Sequence, residues 1–155
     1  MPKLSIFALC EKVIVDKEGT ASLISLFNQI TAHILPGTKE IPPNAVAPKE
    51  WCAFTSWKIE PQDVGKEYRQ FIQLLYPNGE QFGRAVDFSF TPQADKTHQQ
   101  VSINGLGFPV GQEGSYTLKM WLEHNGSVVF ESSPIIIKVN YQQMTELPPS
   151  VLTIP

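Results

Sequence analysis

Residues 116–123, Tyr-Thr-Leu-Lys-Met-Trp-Leu-Glu, show the clearest strand pattern in the chain. Apolar and polar side chains alternate along this stretch, which predicts a β-strand with one buried and one exposed face. Trp121 falls on the exposed face, and Asn125-Gly126 shortly afterwards predicts a tight hairpin into another strand. The inward-facing residues are Tyr116, Leu118, Met120 and Leu122. This stretch therefore indicates an antiparallel β protein.

Glycine and proline divide the rest of the chain into similar short runs, rich in β-branched and aromatic residues, as is typical of consecutive strands. No segment has a long period of 3.6 residues, so we expect little or no helix. The predicted fold class is all-β, a two-sheet antiparallel sandwich with Greek-key connections and about eight strands. Besides 116–123, the predicted strands are 3–15, 21–35, 51–59, 67–76, 82–91, 99–104 and 128–139.

The alternation within three runs predicts which side chains are buried. In residues 21–35 one parity is apolar throughout, so we expect a single long strand with a continuous buried face. Val86, Phe88 and Phe90 also share one parity, and we expect that face to point inward. The first run changes parity part-way along, and a bulge near Glu11-Lys12 would restore it.

Length and composition limit the class of protein. At 155 residues, with 42% hydrophobic and 17% charged residues, the chain fits one globular domain without a membrane span. The net charge of −3 and the scattered basic residues give no footprint for nucleic acid. The N-terminal stretch lacks a cleavage site, and two cysteines, Cys10 and Cys52, fit a reduced chain. We therefore expect a soluble cytoplasmic protein that binds neither nucleic acid nor membrane.

The end of the chain differs in composition from the strands. We divide the sequence into a β-sandwich domain at 1–139 and a C-terminal tail at 140–155, because the tail contains three prolines. The tail also carries apolar side chains, among them Leu147 and Leu152, which a fully solvated segment would not need. Either the tail packs along its own domain, or it docks onto a partner or a neighbouring subunit.

The sequence contains no recognisable catalytic, metal or cofactor motif. Gly-x-Ser-x-Gly is absent, and both cysteines lie within predicted strands without electropositive neighbours. His33, His98 and His124 stand far apart, so they do not form a metal-binding pattern. The glycine-rich stretch after residue 104 lacks the lysine of a phosphate-binding loop. We therefore expect a protein that is not an enzyme, with no catalytic, metal-binding or cofactor-binding residues.

Two loops hold more apolar side chains than a solvated connection needs. One is the proline-rich stretch 36–50, and the other is the glycine-rich stretch 105–114. A sandwich binds through its loops because its strands are committed to the core. Either these loops cap the ends of the sandwich, or they form a protein-binding surface with the tail and the exposed Trp121. The candidate binding residues are Ile41, Val46, Trp51, Leu106, Phe108, Trp121, Leu147 and Leu152.

Gly114-Ser115-Tyr116-Thr117-Leu118, followed by the Asn-Gly hairpin, resembles the tyrosine corner of immunoglobulin-like and fibronectin-like domains. The resemblance implies that the Tyr116 hydroxyl bonds back to the backbone of the preceding loop. A tryptophan on the third strand, Trp51 or Trp57, also resembles the core tryptophan of that fold. No cysteine lies two residues after Tyr116, so the antibody-type disulfide is absent.

A second resemblance is to a family of small bacterial β-sandwich proteins of unknown function. It begins with Leu-Cys-Glu-Lys-Val-Ile-Val-Asp at 9–16 and Ser-Leu-Ile-Ser-Leu-Phe-Asn at 22–28. It continues through Pro42-Pro43, Trp57 and the turn Tyr-Pro-Asn-Gly at 76–79, and it covers most of the chain. The resemblance implies a whole-protein domain from a bacterium, and it supplies no activity, substrate or ligand.

These observations leave three hypotheses for the function. The first is a non-catalytic interaction module that binds another protein through apolar loops or an exposed sheet edge. The second is a structural subunit of a homo-oligomer or larger assembly, joined through the tail or through an edge strand containing Pro134. The third is an enzyme whose site has no known motif. A concentrated apolar patch favours the first hypothesis, and a deep pocket with convergent polar groups favours the third.

Overall fold

A computed structural model describes residues 1–145, which fold into ten β-strands and one 3₁₀ turn at Pro61–Asp63. The predicted all-β class is confirmed, with ten strands rather than eight. In chain order the strands are β1 (Lys3–Val15), β2 (Ala21–Leu26), β3 (Gln29–Ile34), β4 (Val46–Lys58), β5 (Tyr68–Leu75), β6 (Gln81–Phe90), β7 (His98–Pro109), β8 (Gly114–His124), β9 (Ser127–Glu131) and β10 (Ile135–Gln143). Within residues 1–145 no helix has the length and apolar character needed to cross a bilayer.

The strands form two sheets with the apolar core between them. One sheet has four strands in the order β2-β1-β4-β7, and the other has six, in the order β3-β10-β8-β5-β6 with β9 on β8. Neighbouring strands are antiparallel except for β3 and β10, which are parallel. This pair departs from the antiparallel arrangement predicted for the sandwich. No hairpin joins β3 to β10, so nothing local imposes the antiparallel direction.

The predicted strand 21–35 is two strands in two different sheets. The chain bends after Ser25, which has a φ of 56°, and crosses between the sheets at Phe27 and Asn28. A hydrogen bond of 3.2 Å, which the Phe27 N–H donates to the Leu9 carbonyl oxygen, stabilises the crossing. Leu26 is therefore exposed, and the expected continuous buried face is wrong. The apolar residues of this run keep the same alternation before and after the crossing, so the sequence pattern does not reveal that the chain changes sheet.

The bulge in β1 lies nearer its start than predicted. The pairing of β1 with β4 shifts register between Leu4 and Ile6, whereas its pairing with β2 keeps one register. The shift leaves Ile6 exposed and brings Phe7 and Leu9 into the core. A bulge near Glu11-Lys12 is therefore not what sets the faces of this strand.

The inner face of β6 is only partly covered. Phe90 is buried as predicted, but Val86 and Phe88 are 49% and 45% exposed. These two residues lie opposite Ile72 and Gln70 of β5, so they do face the sandwich side of the sheet. They remain accessible because β6 is the last strand of its sheet. The expectation that the whole face is buried is wrong for this reason.

Pro134 separates β9 from β10 along one edge of β8. β9 pairs with the end of β8 near Trp121, and β10 pairs with its start near Tyr116. β10 lies between β8 and β3, so the strand that begins after Pro134 is not an edge strand. It runs to Gln143, four positions beyond the predicted domain end at residue 139.

Two aromatic residues of the core, Trp57 and Tyr116, form buried hydrogen bonds. Trp57 is buried, and its indole N–H donates to Gln70 Oε1 at 2.7 Å, beside the Thr55 hydroxyl at 2.6 Å from the same oxygen. The Tyr116 hydroxyl bonds back to the backbone of Gln112 in the preceding loop. These contacts tie the two sheets and one loop together.

Candidate interaction surface

The proline-rich and glycine-rich stretches pair with each other. β4 begins at Val46 and β7 continues to Pro109, so each strand extends into a stretch predicted to be irregular. Val46 pairs with Pro109, and a register shift between Ala47 and Glu50 accommodates Pro48 in the ladder. The expectation of irregular loops is therefore wrong for 46–50 and 105–109. Bulges and a glycine with positive φ let these residues form strands.

Close backbone packing continues beyond the paired residues. The Val110 N–H donates to the Ala45 carbonyl oxygen at 2.9 Å. A methyl group added at Gly111 would overlap the carbonyl oxygen of Pro43, so only glycine fits at this approach. The two stretches thus form one connected surface.

That surface contains an apolar groove, which we call the loop groove. It has a volume of about 440 Å³ and lies between β3 and the start of β4. β3 is the outermost strand of its sheet, so one of its edges is unpaired within residues 1–145. The Tyr141 hydroxyl closes one wall by donating to the Val110 carbonyl oxygen at 2.6 Å. The main apolar lining residues are Ile34, Leu35, Ile41, Pro42, Val46 and Tyr141.

The structure brings three of the predicted binding residues together. Ile41 and Val46 line the loop groove, and Val46 also lines a neighbouring hollow with Leu106. Leu106 is 87% exposed, the largest exposed fraction among the large apolar side chains at the surface of residues 1–145. Half-exposed Val46 therefore connects two apolar depressions into one patch.

Two other candidates support this patch from beneath. Phe108 is only 1% exposed and packs in the core, so its expected role as a surface residue is wrong. Trp51 is half-buried, lies edge-on to Phe108 at 6.1 Å between ring centroids, and donates its indole N–H to the Gly107 carbonyl oxygen at 2.9 Å. For these two residues the end-capping interpretation describes the structure better.

Trp121 lies away from the loop groove, on the outer face of the six-stranded sheet. Its ring stacks on Phe71 with 5.2 Å between centroids and 3° between planes. Arg69 covers the Phe71 ring at 5.1 Å, and Glu123 accepts the Trp121 indole N–H at 3.0 Å. Trp121 therefore already has partners within its own sheet. Leu147 and Leu152 lie outside the described residues.

Sequence reasoning missed three residues of the groove. The sequence pattern predicts Ile34 on a buried strand face, Leu35 at the end of the same strand, and Tyr141 in the tail. They meet because β3 and β10 pair in parallel, with Ala32 opposite Tyr141. The one local feature that could have indicated an exposed apolar site is Leu35, which directly precedes the turn at Pro36-Gly37.

Residues 5–129 match the family described as "Family of unknown function (DUF6941)". The chain belongs to this family. The expectation of an uncharacterised family is thereby confirmed, and the function of the protein is unknown. No curated protein matches the sequence.

The DUF6941 match begins in β1 and ends in β9. It contains both stretches that form the loop groove, including Ile41, Val46 and Leu106. Tyr141 of β10 lies beyond the matched residues. The loop part of the groove is therefore within the family region, and β10, outside that region, supplies one wall.

Both thiols of this family member are buried. Burial, followed by the neighbouring Cys52, raises the pKa of the Cys10 thiol to about 11, which opposes formation of a nucleophilic thiolate. Burial also raises the pKa of Cys52. The three histidines do not lie together, and residues 1–145 contain no group of three or more His, Cys, Asp or Glu placed to hold a metal ion.

Proposed function

We propose that this DUF6941 protein is a non-catalytic interaction module that binds an extended apolar segment of another protein in the loop groove. The observation that carries the proposal is an apolar groove beside the edge of β3 that no strand of residues 1–145 pairs with. An edge strand offers backbone donors and acceptors, and the adjacent groove offers pockets for side chains. Together they are suited to an added strand.

The side chains that line the groove favour the binding of an uncharged segment. Within residues 1–145, the side chains that line it include no Lys, Arg, Asp or Glu. Leu35 and Val46 are about half exposed at its rim, so apolar area remains available for burial. Each 100 Å² of apolar surface removed from water contributes about 2.5 kcal/mol before the entropic cost of association.

We also propose that the protein acts in the bacterial cytoplasm and is related to immunoglobulin-like domains. Cys10 and Cys52 are opposite each other on β1 and β4, and both are free thiols, as suits a reducing compartment. The Tyr116 corner and buried Trp57 support the relationship in fold.

The test is affinity purification of the full chain from its native cells, with two matched surface variants. Val46 lies in the groove and Val128 lies in β9, and their side chains are 50% and 58% exposed. We expect a stoichiometric partner to be retained by Val128→Asp and reduced by about tenfold or more by Val46→Asp, because a carboxylate in an apolar contact is strongly unfavourable. Equal retention by the two folded variants would refute binding through the groove.

A second candidate function is that of a structural subunit that assembles through β6. Val86 and Phe88 are exposed on the inner face of this edge strand, where a second copy could cover them. Light scattering at micromolar concentration separates the candidates. A dimer that Phe88→Arg converts to monomer would favour assembly, and a monomeric wild-type chain would exclude it at that concentration.

A further inference from the structure

We propose that Cys10 and Cys52 form a reversible disulfide across the β1–β4 ladder, made by exchange with a small-molecule disulfide such as oxidised glutathione. The two residues are direct partners in the antiparallel register of these strands. Both are free thiols, and both are fully buried. Neither cysteine lines the loop groove, so this site is independent of the function proposed for the groove.

The pairing of β1 with β4 brings the two thiols within bonding reach. Residues directly opposite each other in an antiparallel ladder have Cα atoms about 4.5–5.5 Å apart. Disulfide-linked residues have Cα atoms about 4.4–6.8 Å apart. The Cys10 side chain already lies against its partner, because its sulfur is 3.7 Å from the Cys52 carbonyl oxygen. The bond can therefore form without a change of register between the strands.

Both thiols lie on the face of the four-stranded sheet that is turned away from the main core. Leu9 and Ala53, which directly neighbour them along the two strands, belong to the core cluster between the sheets. Successive side chains along a strand point to opposite faces, so Cys10 and Cys52 point outward. Their complete burial means that another part of the chain covers this outer face.

The β1–β2 hairpin is the part that folds over this face. Gln100 of β7 donates from its side-chain amide to the carbonyl oxygen of Gly19, in the hairpin turn, at 3.3 Å. β2 and β7 are at opposite edges of the sheet. Gln100 also shares its face with Asn104, the β7 partner of Cys52, so this contact lies on the thiol face. An oxidant therefore reaches the thiols when the hairpin opens, and exchange in the native protein is slow.

The chemistry consists of two successive thiol–disulfide exchanges. One cysteine thiolate attacks a sulfur of oxidised glutathione, the glutathione S–S bond breaks, and one glutathione thiolate leaves. The thiolate of the other cysteine then attacks the mixed disulfide and releases the second glutathione. The cysteine pair loses two electrons and two protons, and one oxidised glutathione becomes two reduced molecules. The product adds no atoms to the site, which suits its complete burial.

Folding should favour this bond over the two free thiols. In the unfolded chain the cysteines are 42 positions apart and meet at an effective concentration of about millimolar. In the folded sheet the ladder holds them side by side. The equilibrium constant for oxidation should therefore be about tenfold or more higher in the folded protein, and by linkage the bond should stabilise the fold.

The test is to refold the full chain in a mixture of reduced and oxidised glutathione, with a parallel sample kept in concentrated guanidinium chloride. After alkylation of the remaining thiols, intact mass spectrometry measures the ratio of intrachain disulfide to dithiol. We expect this ratio to be about tenfold or more higher in the refolded sample. The control is Cys52→Ser. It should carry glutathione at Cys10 in guanidinium but not after refolding, because the buried site has no space for the added group.

Two kinds of result would overturn the proposal. A ratio in the refolded wild-type chain that is equal to or below the ratio in guanidinium would show that the native sheet opposes the bond. Mixed disulfides with glutathione in the refolded wild-type chain, or a disulfide between two chains, would show that the cysteines do not pair with each other. Partner purification with Val46→Asp measures a different site, so the two proposals stand or fall separately.

Discussion

The Tyr116 hydroxyl and the backbone of Gln112 exchange two hydrogen bonds. The hydroxyl donates to the Gln112 carbonyl oxygen at 2.8 Å and accepts from the Gln112 N–H at 3.1 Å. Burial raises the pKa of Tyr116 to about 12, so the hydroxyl keeps its proton at any physiological pH. The contact fixes the loop before β8, next to Val110 in the wall of the loop groove.

Replacing Tyr116 with Phe should lower the free energy of unfolding by about 1–3 kcal/mol, because it leaves two backbone groups without their partner. Urea denaturation measures this change. Tyr76→Phe is the matched control, since its ring lies 5.5 Å from that of Tyr116 and its hydroxyl makes no hydrogen bond within the described chain. Equal losses in the two variants would contradict a specific role for the corner.

Asp63 is a buried carboxylate that joins the 3₁₀ turn to β5. It accepts hydrogen bonds from the Glu60 N–H at 2.9 Å and the Tyr68 hydroxyl at 3.1 Å, and it lies 2.9 Å from the Met1 ammonium. Burial alone would raise the pKa of Asp63, but these contacts with the charged form outweigh it and lower the pKa.

Because the folded pKa of Asp63 is below its unfolded value, its contribution is complete above about pH 4 and is lost as pH falls through the folded pKa. Asp63→Asn should therefore destabilise the protein by about 2 kcal/mol at pH 7, with a smaller difference toward pH 2. Denaturation curves across this range measure the effect. Asp95→Asn, at an exposed site, serves as the control, and a pH-independent loss at Asp63 would contradict the account.

Gly111 should not tolerate a side chain. The alanine methyl group would collide with the Pro43 carbonyl oxygen, so the proline-rich stretch would have to move, at a cost of about 1–3 kcal/mol. Gly79→Ala provides a comparison, because no atom lies near its added methyl group and only the positive φ is strained. Gly111→Ala should lower both the free energy of unfolding and the amount of partner that the protein retains. Retention unchanged from wild type would contradict the contact's role in shaping the groove.

The two thiols should be unreactive in the folded protein. Cys10 and Cys52 are fully buried, and the Cys10 sulfur lies 3.7 Å from the Cys52 carbonyl oxygen. A thiol reagent at pH 8 should titrate neither cysteine in the native state and both in denaturant, because the thiolate is scarce and inaccessible. Rapid native-state reaction of either would show that this part of the sheet opens readily.

Local sequence rules predicted the parts of the fold that depend on neighbouring residues. The hairpin between β8 and β9 is explained by Asn125 and Gly126, which have φ angles of 52° and 77°. The loop groove was only half predicted. Ile41 and Val46 are identifiable from the sequence as apolar residues in a loop. The opposite wall depends on contacts such as that between Gln143 and Leu35, which are 108 positions apart. No periodicity within one segment encodes which distant strand it will pair with.

The central claim is that this family member binds through the loop groove, and hydrogen–deuterium exchange on the free chain and the purified complex tests it most directly. The account predicts that the partner slows exchange in residues 29–48 and 105–110, which form β3, the proline-rich stretch and its pairing partner. Protection confined to the outer face around Phe71 and Trp121, with none in residues 29–48, would contradict it.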